Sequence, residues 1–246
     1  QLASGLEGKS IMEEPENILE IVIDYFERKK KLLNKTFLVT AGPTFEKIDP
    51  VRFIGNYSSG KMGYSIAEEL AAQGADVILV SGPVSVFTNK KGINVIRVES
   101  ADEMFSECVK HFGECNGAVM CAAVADFTPV KAEFQKTKRG NKNWDLELQP
   151  TKDIAAALGK AKSDKQILVG FALETNDEII NAKKKLQKKK FDFIVLNSLN
   201  EFGAGFQVDT NKITIIDKNN NQQSFELKSK KEVAVDIVDK MISLLP

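Results

Sequence analysis

Short apolar runs rich in β-branched residues recur along this chain with amphipathic stretches between them. No other feature restricts the fold as much. The runs are Thr36–Thr40, Asp76–Val80, Val95–Val98, Ala118–Cys121, Ile167–Phe171 and Phe191–Leu196. Near-continuous apolar runs of this length suit strands buried on both faces. The patterns between them predict helices over Lys61–Gln73, Ala101–His111, Ile154–Lys162 and Asp177–Lys189, the first closed by Gly74 as a C-terminal glycine stop. Strand–helix alternation implies an α/β fold with a doubly wound, mostly parallel sheet. The end of the chain departs from this rhythm. Phe206–Asp209, Lys212–Asp217 and Gln222–Leu227 read as short strands, and Asp217–Asn221 as a turn that makes the last two a C-terminal β-hairpin extension. Lys230–Leu245 reads as a closing amphipathic helix with Val233, Ile237, Met241 and Leu244 on one stripe.

The 246 residues suffice for one sizeable domain and a modest appendage. Lys plus Arg and Asp plus Glu both total 34, a balance that argues against a general nucleic-acid binder. No apolar run approaches the roughly 18–20 residues that cross a bilayer, so no membrane partner is expected. The first ten residues, QLASGLEGKS, lack the apolar segment of a signal peptide. Cys108, Cys115 and Cys121 form no CxxC pair, which fits a reducing cytoplasm. Cys121 reads as strand core. His111 lies near a predicted helix end, no set of metal partners is identified for it, and it reads as a structural histidine.

In open α/β sheets ligands bind at the carboxyl ends of the strands. Those ends here carry Ala41-Gly42, Ser81-Gly82, Ala122-Ala123, Ala172 and Asn197, and irregular stretches follow Gly42 and Asp126. The segment Gly55-Asn-Tyr-Ser-Ser-Gly-Lys-Met-Gly63 precedes the first predicted helix. Its glycines let backbone amides approach an anion, Ser58 and Ser59 are placed to cap the helix, and the helix start adds positive potential. The segment therefore reads as a phosphate cradle. It is not a P-loop, because Met62 stands where a magnesium-binding hydroxyl belongs and the segment begins well after the first strand. Nor is it GxGxxG, and the second strand ends in Ser81-Gly82-Pro83 without the acid that grips a ribose. The sheet is Rossmann-like without a dinucleotide fingerprint.

The run TAGPTFEKIDPVRFIGNYSSGKMGYSIAEELAAQGADVILVSGPV, with AAVADF at Ala122–Phe127, QKTKRG at Gln135–Gly140, VGFALET at Val169–Thr175 and KKLQKKKFDFIVLN at Lys184–Asn197, resembles phosphopantothenoylcysteine synthetase (phosphopantothenate–cysteine ligase) over residues 35–246. The resemblance implies a magnesium-requiring ligase of coenzyme A biosynthesis. It joins 4′-phosphopantothenate to L-cysteine, uses CTP, passes through an acyl-cytidylate, and releases pyrophosphate and then CMP. Residues 1–34 resemble the end of a flavin-dependent decarboxylase domain that bacteria fuse in front of the ligase. The chain is thus expected to be the ligase half of a bifunctional protein with its linker, with the decarboxylase domain as a partner in the full-length protein. No flavin is expected here. A homodimer is also implied, with the C-terminal strands or the lysine loop contributing across its interface.

Residue by residue, the resemblance assigns catalysis to Asn56, which would hold the acyl phosphate and stabilise the oxyanion, and to Lys136, a loop lysine that would balance charge at the α-phosphate. Arg52, Asn56 and Ala123 would bind phosphopantothenate. Nucleotide contacts fall on Gly42, Ser58, Ser59, Gly60, Lys61, Met62, Gly63, Met120, Cys121, Ala122, Asp126, Lys136, Gln149, Pro150, Thr151, Lys152, Phe171, Lys185 and Lys189. Asp126 could accept from a cytosine amino group, and Lys185 and Lys189 share a helical face. Two departures stand out: Arg139 replaces the last lysine of a KxKK loop, and Pro150-Thr-Lys-Asp153 replaces an Asn-Pro-Asp turn. No metal ligands are identified. The competing classes are a nicotinamide-dependent oxidoreductase and a non-catalytic nucleotide-binding module. The sequence does not decide CTP over ATP, which depends on the pocket around Asp126 and Ala122.

Overall fold

The computed structural model describes residues 13–28, 30–141, 143–174, 177–198 and 208–245. In chain order the elements are α1 (Pro15–Arg28), β1 (Thr36–Ala41), β2 (Phe45–Lys47), β3 (Phe53–Gly55), α2 (Lys61–Ala72), β4 (Asp76–Ser81), β5 (Ile93–Arg97), α3 (Ala101–Phe112), β6 (Gly117–Met120), β7 (Phe127–Pro129), β8 (Leu148–Pro150), α4 (Ile154–Ala161), β9 (Ile167–Glu174), α5 (Glu178–Lys188), β10 (Phe193–Ser198), β11 (Thr210–Asn211), β12 (Ile213–Asp217), β13 (Gln222–Ser224), β14 (Lys228–Ser229) and α6 (Lys230–Leu244).

The main sheet has eight strands in the order β13-β12-β10-β9-β6-β1-β4-β5. Every pairing from β5 across to β10 is parallel. The chain enters at β1, winds outward to β4 and β5, then returns to build β6, β9 and β10 on the other side. This is the doubly wound order, and its direction reverses between β1 and β6, where such sheets bind ligands. The β12–β13 hairpin adds on antiparallel at the edge, as its turn residues predict.

Side-chain alternation splits the core into two layers. Phe37, Val39 and Ala41 of β1 pack with Ile66 and Leu70 of α2 and Val233, Ile237 and Met241 of α6. Leu38 faces the other way, with Met104 and Cys108 of α3, Leu158 of α4 and Leu186 of α5. The predicted helices hold to within a residue or two at each end. Gly74 follows α2 at φ 91°, a left-handed conformation that glycine adopts without strain.

Elsewhere the structure corrects the sequence reading. The stretch after Gly42 is not wholly irregular but holds the β2–β3 hairpin, and the stretch after Asp126 pairs β7 with β8. Strands this short carry too little pattern to be read. Of the strand predicted at Phe206–Asp209, residues 206–207 lie outside the described residues and 208–209 form a bend. The pairing falls instead on β11 with β14. The strand predicted at Gln222–Leu227 stops at Ser224. Residues 15–28 form a helix not foreseen in the predicted linker. Among the described residues no helix is long and apolar enough to cross a membrane.

Candidate active site

A cavity of about 500 Å³ opens over the carboxyl ends of β1, β6, β9 and β10, at the reversal of strand order. Its floor is fixed by two threonines. Thr40 Oγ1, at the end of β1, accepts from the amides of Cys121 and Ala122, both at 3.1 Å. Thr44 Oγ1 accepts from the Ala125 amide at 3.0 Å. The loop after β6 is thereby stapled to the loop after β1, and the Ala123 amide donating to Gly42 O at 2.9 Å completes the seam.

One wall is the start of α2. A Cβ on Gly63 would lie 2.6 Å from Ala41 Cβ and 3.0 Å from Thr40 O, so only glycine lets the helix sit this close to β1. Gly60 occupies the cap position at φ 76°, and no side chain caps the helix. The cap position thus falls on Gly60, just after the serines expected to cap the helix. Ser58 Oγ takes only a 3.4 Å bond from the Gly60 amide. With glycine at the cap position, the start of α2 turns backbone rather than a cap-residue side chain toward the cavity. Gly42, at φ 79°, backs Gly60 through Val84 and lies behind the cavity rather than on its surface.

The opposite wall is the turn between β8 and α4. Thr151 donates to Ala125 O at 2.7 Å and its amide to Asp126 O at 2.9 Å. Asp153 caps α4 through the Ala156 amide at 3.0 Å and meets Lys189 at 3.0 Å. Burial alone would raise the Asp153 pKa, but the Ala156 amide and the Lys189 ammonium outweigh it and hold it low. Lys185 and Lys189 are both half-buried on the cavity side of α5, while Lys184 and Lys188 are exposed, as the shared helical face predicts. Lys152 reaches the cavity rim, where it pairs with Asp102 at 2.5 Å.

Of the sequence-predicted residues, the cavity brings together Ser58, Ser59, Gly60, Lys61, Met62, Gly63, Met120, Cys121, Ala122, Ala123, Asp126, Pro150, Thr151, Lys152, Phe171, Lys185 and Lys189. Gln149 sits one residue outside it, in β8. Lys136 is exposed on an irregular loop and does not line it. Asn56 stands at its edge, where its amide nitrogen donates to Ala123 O at 2.9 Å and Val124 O at 3.2 Å. With its donors so used, Asn56 presents its carbonyl oxygen, an acceptor.

Arg52 is outside the cavity, and its guanidinium is engaged. It pairs with Asp49, donates to Thr137 O at 2.8 Å, and stacks 4.6 Å above the Trp144 ring. Asp49 is buried, which favours its neutral acid. Arg52 and the amides of Val51, Thr137 and Arg52 override this and hold the carboxyl well below the usual range. Arg52 and Asp49 thus tie the β2–β3 hairpin to the loop that carries Lys136.

Sequence reasoning missed Thr40, Val124, Asp153, Asn211 and Lys230 as cavity residues, while Asn197 lines the cavity from a strand end where ligands were expected. Lys230 closes the cavity from the start of α6, where Ser229 and Glu232 form a capping box. That S-x-x-E signature agrees with the helix start read from the amphipathic stripe, although neither marks Lys230 as a cavity residue. The Cys121 thiol, pushed up to about 12 by burial against the pull of Lys230, stays protonated. His111 pairs with Glu107 at 3.3 Å on α3, far from this chemistry in the fold. Among the described residues no group of three or more His, Cys, Asp or Glu could hold a metal ion.

Residues 32–245 match the family model for the DNA/pantothenate metabolism flavoprotein C-terminal domain. The chain belongs to that family. It is 55% identical, over 249 residues, to a protein named cysteine/cysteine sulfinic acid decarboxylase from an unknown prokaryotic organism, across 100% of this chain and 69% of that protein. It is 43% identical over 245 residues to the coenzyme A biosynthesis bifunctional protein CoaBC of Bacillus subtilis (strain 168), across 99% of this chain and 60% of that protein. Among solved structures it resembles the C-terminal domain of a coenzyme A biosynthesis bifunctional protein CoaBC, with a TM-score of 0.72 and 41% identity over 87% of this chain and 98% of that one. The family expected from the GNYSSGKMG and AAVADF motifs is the one found. The chain spans about three fifths of the length of the CoaBC proteins it matches.

Proposed function

We propose that this chain is a phosphopantothenate–cysteine ligase of coenzyme A biosynthesis that uses CTP. The observation that carries the reading is the cavity at the reversal of strand order, with an uncapped helix start on one wall and Asn56 anchored at its edge. Lys61, Lys152, Lys185, Lys189 and Lys230 line this one space and give it a positive potential suited to a nucleoside triphosphate. On this reading the reaction runs in two steps. The phosphopantothenate carboxylate attacks the α-phosphorus, pyrophosphate leaves, and an acyl-cytidylate results. The cysteine amine then attacks the acyl carbon, loses a proton, and CMP leaves.

The first-turn amides of α2 and the lysines would hold the phosphates, and they act at full strength in a cavity partly shielded from water. Lys136 would act from its loop by folding over the triphosphate. Asn56, whose donors are committed to Ala123 and Val124, would accept from the incoming cysteine amine and aim it at the acyl carbon. Asp126, the exposed carboxylate on the cavity wall, fits either a cytosine amino group or a magnesium ion carried by the phosphates, since magnesium commonly takes one or two carboxylates besides phosphate oxygens. When bound, magnesium would neutralise phosphate charge.

The chain would act as a homodimer through the β2–β3 and β7–β8 hairpins, which touch each other and expose Val51, Phe53, Phe127, Val130 and Leu148. A cluster of exposed apolar side chains of this kind marks an interaction surface. Sedimentation at micromolar concentration tests this, and a monomer would contradict it. The flavin-dependent decarboxylase domain would be a partner in the longer protein, and the free thiols Cys108, Cys115 and Cys121 fit a reducing cytoplasm.

The test of function incubates the chain with CTP, magnesium, 4′-phosphopantothenate and cysteine and follows pyrophosphate and product mass. Pyrophosphate release that requires phosphopantothenate, with acyl-cytidylate accumulating in Asn56→Asp, supports the reading. Absence of pyrophosphate release sinks it, and carbon dioxide release from cysteine without nucleotide would favour the activity in the name of the 55% identical relative. Replacing CTP by ATP measures base preference.

A further inference from the structure

The starts of α2 and α6 meet at one end of the cavity. Lys61 opens α2 and Lys230 opens α6; the two helices pack side by side, and both lysines line the cavity. Lys230 is 5% exposed, and its ammonium donates to Val208 O at 2.6 Å. Burial opposes an ammonium charge, and a helix start, itself positive, opposes it further. Burial and the nearby Lys61 charge accordingly push the Lys230 pKa down. Lys61 is drawn aside onto Asp209, at 2.5 Å, a carboxylate with little burial of its own. The α6 amides are served by its capping box, so the lysine rather than the helix end is what this wall offers.

An independent observation points to a missing ligand. Asn211 lines the same cavity, is 2% exposed, and its side-chain oxygen has no hydrogen-bond partner among the described residues. Asn197, at the end of β10 and also lining the cavity, has a buried side-chain oxygen in the same condition. Buried amides in native proteins are almost always paired. An amide can turn about its terminal bond to present its NH2 group instead. Beside lysines at two helix starts, the partner that satisfies turned amides and relieves crowded positive charge is a polyanion.

We infer that Lys230 and Asn211, with Lys61 released from Asp209, form a subsite for the terminal phosphates of the nucleotide. The subsite holds the β- and γ-phosphates and then the departing pyrophosphate. Its anion chemistry stands on the cavity alone, and the identity of the anion rests on the ligase reading. Lys230 is a positioning residue here, since the bond that breaks is at the α-phosphorus.

Calorimetric titration of the chain with CTP, CMP and inorganic tripolyphosphate tests the inference. The wild type binds CTP and tripolyphosphate. Lys230→Met weakens both by about tenfold or more, the size expected for losing a charge-assisted bond, while CMP affinity holds within about twofold. Lys230→Arg recovers part of the loss. Asn211→Asp, which adds a negative charge beside the lysines without removing either, weakens tripolyphosphate and CTP in the same selective way and serves if the Met variant folds poorly. A purely structural role for Lys230 would lower the melting temperature and weaken CTP and CMP alike, which would overturn the inference. So would unchanged CTP affinity in both variants. Lys230-dependent tripolyphosphate binding without acyl-cytidylate formation would leave the subsite standing and remove the ligase reading. Full ligase turnover with unchanged affinities in the variants would do the reverse.

Discussion

The two sides of the cavity are built in opposite ways. The α2 side is rigid by contact: Gly63 meets Ala41 and Thr40, Gly60 and Gly42 close on Val84, and Thr40 staples the β6 loop to β1. The loop bearing Lys136 is exposed almost throughout and attached mainly where Thr137 meets Arg52 and Asp49. On the proposed reading, the first would need no change to receive phosphate, whereas the second would have to move to reach it. Stability should therefore reside on one side and a large part of turnover on the other, and substitutions on the two sides should separate these properties.

The largest expected effect is on the loop. Lys136→Ala should lower kcat by about 10²-fold, the size associated with losing one stabilising group at a developing charge. Its melting temperature should match the wild type, because the side chain is exposed. Pyrophosphate-release kinetics with a thermal melt on the same sample checks both halves. A lowered melting temperature would mean the loop is part of the rigid body and the contrast is false.

On the rigid side, Gly63→Ala should cost about 2 kcal/mol, because its Cβ meets backbone and a strand side chain that cannot give way. Denaturant unfolding measures this. Residual enzyme that stays folded should keep most of its kcat per folded molecule. An unchanged midpoint would show that α2 can shift off β1, and the cradle is then not preformed.

This contrast also explains what could be read from the sequence. The sheet was legible because six buried strands and their helices repeat one pattern, and the turn at Gly60–Gly63 was legible because glycines cluster there just before an amphipathic helix. Lys230 was not. In the run Lys228-Ser-Lys-Lys231 it looks like one solvated cation among several, and only the packing of α6 against α2 buries it. Asn211 lies in a two-residue strand with no periodicity to expose it. Thr40 read as a strand residue, which it is, while its hydroxyl serves a loop eighty residues away. Arg52 was found, but its engagement by Asp49 and Trp144 depends on a hairpin too short to predict. Local pattern reveals elements and glycine turns. Long-range burial of single polar groups leaves no mark on it.

The junction between the two sides should respond to acid. Asp49 has its pKa depressed in the folded protein, so its stabilising contribution is present above the unfolded carboxylate value near 4 and is lost as pH falls toward the folded value. Asp49→Asn removes that dependence and leaves Arg52 without its partner. Urea unfolding at a series of pH values from 6 downward should show the wild type losing stability more steeply than the variant below about pH 4. Equal slopes would mean that Asp49 is not the acid-sensitive tie, and that the loop is held by Trp144 and backbone contacts instead.

The smallest expected effect concerns Lys61, on the rigid side but with an adjustable tip. Its bond to Asp209 is 2.5 Å long, yet Asp209 is largely exposed, and such surface pairs add little to stability. Asp209→Asn should therefore leave the melting temperature unchanged. Its effect should appear in binding, because the lysine no longer has to leave a carboxylate to meet phosphate. CTP affinity should rise by about two- to threefold at low salt, and the gain should shrink as salt screens the pair. Titrations at two ionic strengths separate this from a conformational effect, which salt would not erase. A weaker CTP affinity in the variant would show that Asp209 steers Lys61 toward the nucleotide rather than holding it away, and the adjustable element would then lie in the C-terminal wall rather than in the lysine.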